Sequence, residues 1–310
     1  MLGLRLAMCA ATVALPAHVY APYFETWTTD GLTSTAQASG ARYFTLAFLA
    51  TLSKTSCTVA WNGRKSDVVA NGRYLSDIAS LRVIGGDVIP SFGGWSADQR
   101  GTDVADSCKS VRKIAAAYEA VITKYDVTRL DMDIEGRSLW RPGGIDRRNK
   151  ALKLVEKWAA AHARPLQVSY TLSALSWGLN ASRLAVLRNA RANRTRVDVV
   201  NIMAFDYYDG ATTDMGGAAI GAAEALLAQL HALWPAKTRT QLAARVGVTL
   251  MPGVDDYPRG TEETSLADAM RVYDYAQSNG FNTLSIWSSQ RDNTSGSWEF
   301  SRLLARFSSR

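Results

Sequence analysis

The segment Thr128-Arg129-Leu130-Asp131-Met132-Asp133-Ile134-Glu135-Gly136 places three carboxylates in alternation with apolar residues. Side chains alternate faces along a strand with period two. Asp131, Asp133 and Glu135 therefore share one face, and Met132 and Ile134 share the other. An edge strand with a solvated acidic face fits poorly, because the segment lies mid-chain between helical patterns. In a barrel of parallel strands the apolar face packs against helices and the acidic face points inward.

Seven further segments read as strands: 18–24, 42–48, 87–92, 166–172, 197–203, 245–251 and 282–287. They are short and mostly apolar on both faces, like strands covered on both sides in a parallel sheet. Helical spacing appears over 103–125, 145–163, 182–192, 217–233, 265–279 and 298–306, and more weakly over 67–81. Eight strands alternating with helices predict an α/β fold, a single-domain (β/α)8 TIM barrel over residues 18–310. An open doubly wound sheet is the alternative. Against it, no GxGxxG follows the first strand, and Gly85-Gly86 and Gly93-Gly94 are not nucleotide loops.

The composition narrows the chemistry. The net charge of +7 excludes an acidic solvating protein without implying a nucleic-acid partner. No apolar run approaches the ~20 residues needed to cross a bilayer, so no internal membrane anchor is expected. His18, His162 and His231 are scattered, and Cys9, Cys57 and Cys108 lack zinc spacing. Carboxylates also bind Mg²⁺ or Ca²⁺, but three acids on one strand face lie along a line rather than around an ion. No metal and no cofactor are expected.

Residues 1–17, MLGLRLAMCAATVALPA, read as a short secretory signal: one Arg, an apolar stretch, then small residues. A buried leader helix is the alternative. Removal of the signal would take Cys9 with it. Cys57 and Cys108 would remain, an even number suited to one disulfide in a secreted (extracellular) or periplasmic protein. Two free buried thiols are the other reading.

Together with three further motifs, the acidic segment resembles family 18 of the glycoside hydrolases, the chitinase family. That family's DxxDxDxE signature appears as Thr128-Arg-Leu-Asp131-Met-Asp133-Ile-Glu135, with Thr128 in place of the first Asp. SxGG appears as Ser91-Phe92-Gly93-Gly94 on the third strand. Asn201-Ile-Met203-Ala-Phe205-Asp206-Tyr207 is similar to QxMxYD on the sixth strand. Trp287 ends the eighth strand, where such enzymes hold a Trp under the scissile sugar. The nearest likeness is to bacterial single-domain chitinases. Only thirteen residues separate Met251 from Ser265, which leaves no room for an inserted α+β subdomain.

The resemblance implies cleavage of chitin or chito-oligosaccharides with retention, the substrate's own acetamido group acting as nucleophile. Glu135 would protonate the glycosidic oxygen, Asp133 would orient the acetamido group, and Asp131 would tune the pair. Asp206 would reach the same pocket. The family Tyr before that Asp is Phe205 here, and Tyr207 is expected to take over its hydroxyl role. Met203, Phe205, Trp95, Ser91, Gly93 and Gly94 complete the expected substrate site. Gly93-Gly94 would let backbone approach the acidic strand closely. Trp27, Trp140, Trp177 and Tyr208 are further cleft candidates, each with plain packing as its alternative. Trp158 and Trp234 fall on helices and are expected to be structural. A Cys57–Cys108 bridge would staple two neighbouring cleft-side loops. An endo-β-N-acetylglucosaminidase, a lysozyme-like glycosidase and a non-catalytic carbohydrate-binding protein remain the alternatives. A monomer is expected.

Overall fold

Pro22 divides the first strand into β1 (Val19–Tyr20) and β2 (Tyr23–Glu25), because proline has no amide to donate to a ladder. In the computed structural model, which describes residues 15–210, 213–256, 262–294 and 297–308, the two halves pair with different neighbours. The other strands are β3 (Tyr43–Thr51), β4 (Val59–Trp61), β5 (Asp87–Gly93) and β6 (Arg129–Ile134). They continue with β7 (Gln167–Ser173), β8 (Val199–Met203), β9 (Val246–Leu250), β10 (Gly253–Val254), β11 (Glu263–Thr264) and β12 (Thr283–Ile286). The barrel strands run in the order β1-β12-β9-β8-β7-β6-β5-β3-β2 with parallel pairing throughout, while β4 adds antiparallel to β3 and β10–β11 form a separate hairpin.

Because β1 and β2 are one run of chain, that order closes on itself. Ala21 N donates to Leu284 O at 3.0 Å on one side, and Thr45 N donates to Pro22 O at 3.0 Å on the other. Eight strand positions thus form a closed (β/α)8 barrel, which removes unpaired sheet edges. Helices cover the outside. Along Val111–Tyr125, the residues Ile114, Ala115, Tyr118, Val121 and Ile122 face inward at helical spacing.

Several boundaries differ from the sequence reading. The helix expected over 103–125 is two helices, Val104–Ser107 and Val111–Tyr125. Ser110 breaks it by capping Lys113 N, since a hydroxyl at that position competes for the backbone. The weak pattern at 67–81 resolves into two 3-10 turns and a helix at Leu75–Val83. A helix at Leu32–Ser39 was not anticipated. Between β9 and the Leu266–Asn279 helix the described residues hold only the β10–β11 hairpin, with no inserted subdomain. Residues 1–14, which carry most of the expected signal and Cys9, lie outside the described residues. No helix among those described is long and apolar enough to cross a membrane.

Cys57 and Cys108 form a disulfide, with a sequence separation of 51. A closed loop of that length limits the unfolded chain by about 4 kcal/mol on the chain-entropy account. The Cys57→Ala/Cys108→Ala variant should therefore lose roughly 2–4 kcal/mol of unfolding free energy. A lower urea midpoint, with the m-value rising as the unfolded chain opens further, would show it, and an unchanged midpoint would refute it.

Candidate active site

Catalytic groups of such barrels sit at the carboxyl ends of the strands. A cavity of about 1120 Å³ opens there, lined among others by Asp133, Glu135, Asp206 and Trp287. A second cavity of about 500 Å³ includes Thr128 and Gln167 at the strands' opposite ends, away from the acidic ladder.

The alternation along β6 holds through its end. Met132 and Ile134 are buried on the helix side, and Asp131 and Asp133 are buried on the lumen side. Arg129 shares the lumen face and lies deeper, with Nε and Nη2 donating to Gln167 Oε1 and Nη1 to Thr283 Oγ1. Glu135 follows the strand in extended backbone and stands at the mouth.

Each rung has a different environment. Asp131 accepts from Ser91 Oγ at 2.7 Å, Thr171 Oγ1 at 2.8 Å and Tyr23 Oη at 3.0 Å. Burial raises its carboxyl, and those donors partly reverse the shift. Asp133 Oδ1 has no donor among the described residues. Burial first, then Glu135, Asp131 and Asp98, push Asp133 well above the usual carboxylate range. Burial also drives Glu135 up to about 7; Asp206 adds to this, while the Trp95 amide and Arg183 oppose it. A carboxyl near 7 is suited to give and take a proton at neutral pH.

The neighbouring loops hold this strand end closely. Gly93 pairs with Asp133 across β5 and β6 at φ +103°, and a Cβ there would lie 2.1 Å from Asp133 O. At Gly94 (φ +79°) a Cβ would lie 2.6 Å from the Phe48 ring. Neither position admits another residue without displacing the site. Asp98, fully buried on the next helix, accepts from Glu135 N at 2.5 Å.

Trp287 forms an aromatic floor with Phe48, whose ring stacks on it at 5.6 Å and 14°, and with Tyr23 and Trp27. Sugar rings present apolar faces to such planes. Trp95, Trp140 and Tyr208 are exposed on the cleft, where their area remains available to a ligand. Met203 and Phe205 line the wall.

Ser91 does not reach the cleft: it lies beneath, donating to Asp131. Trp177 is exposed but not among the residues lining this cavity. Tyr207 requires a correction. Its ring is buried in the core, and its hydroxyl has no partner among the described residues. Asp206 and Tyr208, on either side of it, both adopt positive φ, +49° and +58°, so the chain after β8 does not continue as a strand. Tyr208 is turned to the cleft in Tyr207's place, and its hydroxyl meets the Asp206 side chain. Burial raises Asp206 to about 6, with Asp256 and Glu262 adding to it and Arg291 opposing. The sequence reading missed Asp98, Tyr23, Phe48 and Arg183; none lies in a motif that period-two reasoning could single out. Among the described residues no group of three His, Cys, Asp or Glu is placed to hold a metal ion.

A closed β/α barrel with buried acids under a proton-titrating carboxyl, opening on an aromatic cleft, has the architecture of a glycosidase domain. Residues 19–268 match Glycosyl hydrolases family 18, and the chain belongs to that family. It is 33% identical over 289 residues to the "Probable bifunctional chitinase/lysozyme" of Escherichia coli K12, covering 90% of this chain and 31% of that protein. It is 33% identical over 290 residues to Endochitinase 11 of Metarhizium anisopliae, covering 90% of this chain and 53% of that one. The chain thus spans about a third and about half of the lengths of these two relatives. The catalytic domain of the hyperthermophilic chitinase from Pyrococcus furiosus superposes with a TM-score of 0.82 at 28% identity, covering 96% of each chain.

Proposed function

We propose that the chain is a chitinase, hydrolysing β-1,4-linked N-acetylglucosamine in chitin or chito-oligosaccharides with retention at the anomeric carbon. The observation that carries this reading is the ladder itself. Asp133, buried with an undonated oxygen, lies between a fully hydrogen-bonded Asp131 and a Glu135 that titrates near 7.

The acetamido oxygen of the bound sugar attacks C1, and Glu135 gives its proton to the leaving glycosidic oxygen. This forms an oxazolinium ion. Asp133 accepts from the acetamido N–H and offsets the positive charge that develops there. Water then attacks C1 from the vacated side, Glu135 taking its proton, and the oxazoline reopens. Family 18 is an exception to the two-carboxylate scheme of most retaining glycosidases. Tyr208, beside Asp206, supplies the hydroxyl that Phe205 lacks. Chitinase catalytic-site variants from Pyrococcus furiosus have been seen with chito-oligosaccharides, which supports the same substrate class here.

Two measurements test this reading. Initial product from chitotetraose should be the β anomer by proton NMR, and fully deacetylated tetramer should not be cleaved. A mainly α product, or equal cleavage of the deacetylated tetramer, would reject the acetamido mechanism. A lysozyme-like action would show instead as clearing of bacterial walls without release of chito-oligosaccharides. We further propose an exported monomer. The disulfide supports export, and a gel-filtration mass at twice 33.7 kDa would refute the monomer.

A further inference from the structure

Two buried carboxyls outside every motif discussed above hold the segment that carries Asp206. The β10–β11 hairpin pairs Gly253 with Thr264 and Val254 with Glu263. The next pair outward is Asp255 opposite Glu262, and Asp255 N donates to Glu262 O at 2.9 Å. Both side chains are buried, at 6% and 1% exposure, where carboxylates are rarely found without a cation. Neither has a cation partner among the described residues. Each instead accepts from the main chain at the end of β8. Asp206 N donates to Asp255 Oδ2 at 2.6 Å, and Tyr207 N donates to Glu262 Oε2 at 2.7 Å. Their remaining oxygens, Asp255 Oδ1 and Glu262 Oε1, have no donor among the described residues.

The two side chains lie close enough for Glu262 to raise the Asp255 carboxyl, by hydrogen bonding as well as by charge. Two ionised carboxylates have no hydrogen to share, so this contact requires a proton between them. The pair grips two successive amides of a segment whose backbone is left-handed at Asp206 and at Tyr208. Non-glycine residues avoid that conformation unless their surroundings impose it. In this segment the Asp206 side chain lines the cleft while Tyr207 packs in the core.

We propose that Asp255 and Glu262 are positioning residues, a proton-sharing carboxyl pair that fixes the Asp206–Tyr207 backbone and so aims Asp206 at the substrate. The consequence for activity rests on the chitinase reading; the clamp itself does not. Among the described residues, Asp206 acts on the pair directly; Asp209, Asp256 and Arg291 act on the Asp206–Tyr207 segment that the pair holds, Arg291 being tied to Asp256 and to Val254 O. Burial, opposed by the Asp206 amide and reinforced by the Asp206 and Glu262 carboxyls, brings Asp255 to about 8. Loss of the shared proton above that pH sets two carboxylates against each other beneath Asp206.

The clamp is tested first without catalysis. In ¹⁵N-labelled protein the Asp206 and Tyr207 amide shifts should titrate together near pH 8, and this step should vanish in Glu262→Gln, whose amide supplies the hydrogen permanently. Flat shifts between pH 6.5 and 9.5, or the same step in Glu262→Gln, would overturn the shared proton. Kinetics then test positioning. On chitotetraose at pH 6, Asp255→Ala should lower kcat by about 30-fold or more with a smaller change in KM. Asp255→Asn, which can still accept from Asp206 N and donate to Glu262, should recover at least about tenfold of that loss. Equal losses in the two variants, or none in Asp255→Ala, would overturn the positioning role. A wild type that cleaves no glycan would refute the chitinase reading, while the amide titration would still decide the clamp.

Discussion

Glu135→Gln is expected to reduce kcat on chito-oligosaccharides by about 10³-fold, with KM held within a few-fold. Glutamine keeps the shape and the contacts of Glu135 but has no proton of suitable acidity to give to the leaving oxygen. Its main-chain anchor, Glu135 N to Asp98, is unaffected by the change. The wild-type pH profile should carry the same signature. The acid must be protonated to act, and its carboxyl is raised to about 7 chiefly by burial, so kcat/KM should fall as pH rises through about 7. That limb should disappear from the residual activity of Glu135→Gln. If the variant retains more than a tenth of wild-type kcat, or keeps the limb, the assignment of the acid is wrong.

Asp133→Asn should cost nearly as much, about 10²-fold to 10³-fold in kcat, while making the protein more stable. On the proposed mechanism the loss follows from ionisation: Asp133 can pass its proton toward Asp131 and offset the positive charge developing on the acetamido carbon, whereas an amide stays neutral. The gain follows from the same carboxyl in the free protein. Asp133 is buried among Asp131, Glu135 and Asp98, and its carboxyl is raised well above the ordinary range. The folded state therefore keeps a proton that the unfolded chain releases once pH passes its ordinary carboxylate value of about 3.9. Folded protons then outnumber unfolded ones, so wild-type stability falls as pH rises from there toward the folded pKa. Asparagine removes that contribution. Tm should rise by roughly 2–4 °C at neutral pH, with a shallower decline from pH 4 upward. A lower Tm would mean that Asp133 is held by contacts that outweigh the repulsion.

Stability sacrificed at a functional site is a common signature of catalytic preorganisation. It recurs around this cleft. Asp98 is fully buried with one oxygen that has no donor among the described residues, yet it is the acceptor for the Glu135 amide. Asp255 and Glu262 stand in the same relation to Asp206 and Tyr207.

How far these groups could be read in advance depends on how local their cause is. Asp131, Asp133 and Glu135 share a face because strand geometry repeats every two residues, and six residues suffice to see it. The barrel was legible because strand and helix periods alternate along the chain. The substitution of Phe205 was visible too, and it implied a hydroxyl from elsewhere. Tyr207 was expected to take over because it directly follows Asp206, but past Met203, where β8 ends, the fold buries its ring in the core. Left-handed backbone at Asp206 and Tyr208 keeps the strand from continuing there, and nothing in those residues' own types demands it.

The sequence by itself determined the architecture, the acidic ladder and the aromatic end of the last strand, since each arises from periodicity within a few residues. Only the tertiary structure decided how those carboxyls are held and tuned. The holding contacts join residues 37, 49 and 55 positions apart, Asp98 to Glu135, Asp255 to Asp206 and Glu262 to Tyr207. Closure of the barrel brings such distant groups together and removes the water that would otherwise level their acidities. Burial is the largest cause of the shifts at Asp133, Glu135 and Asp206, and burial is a property of the assembled barrel rather than of any segment.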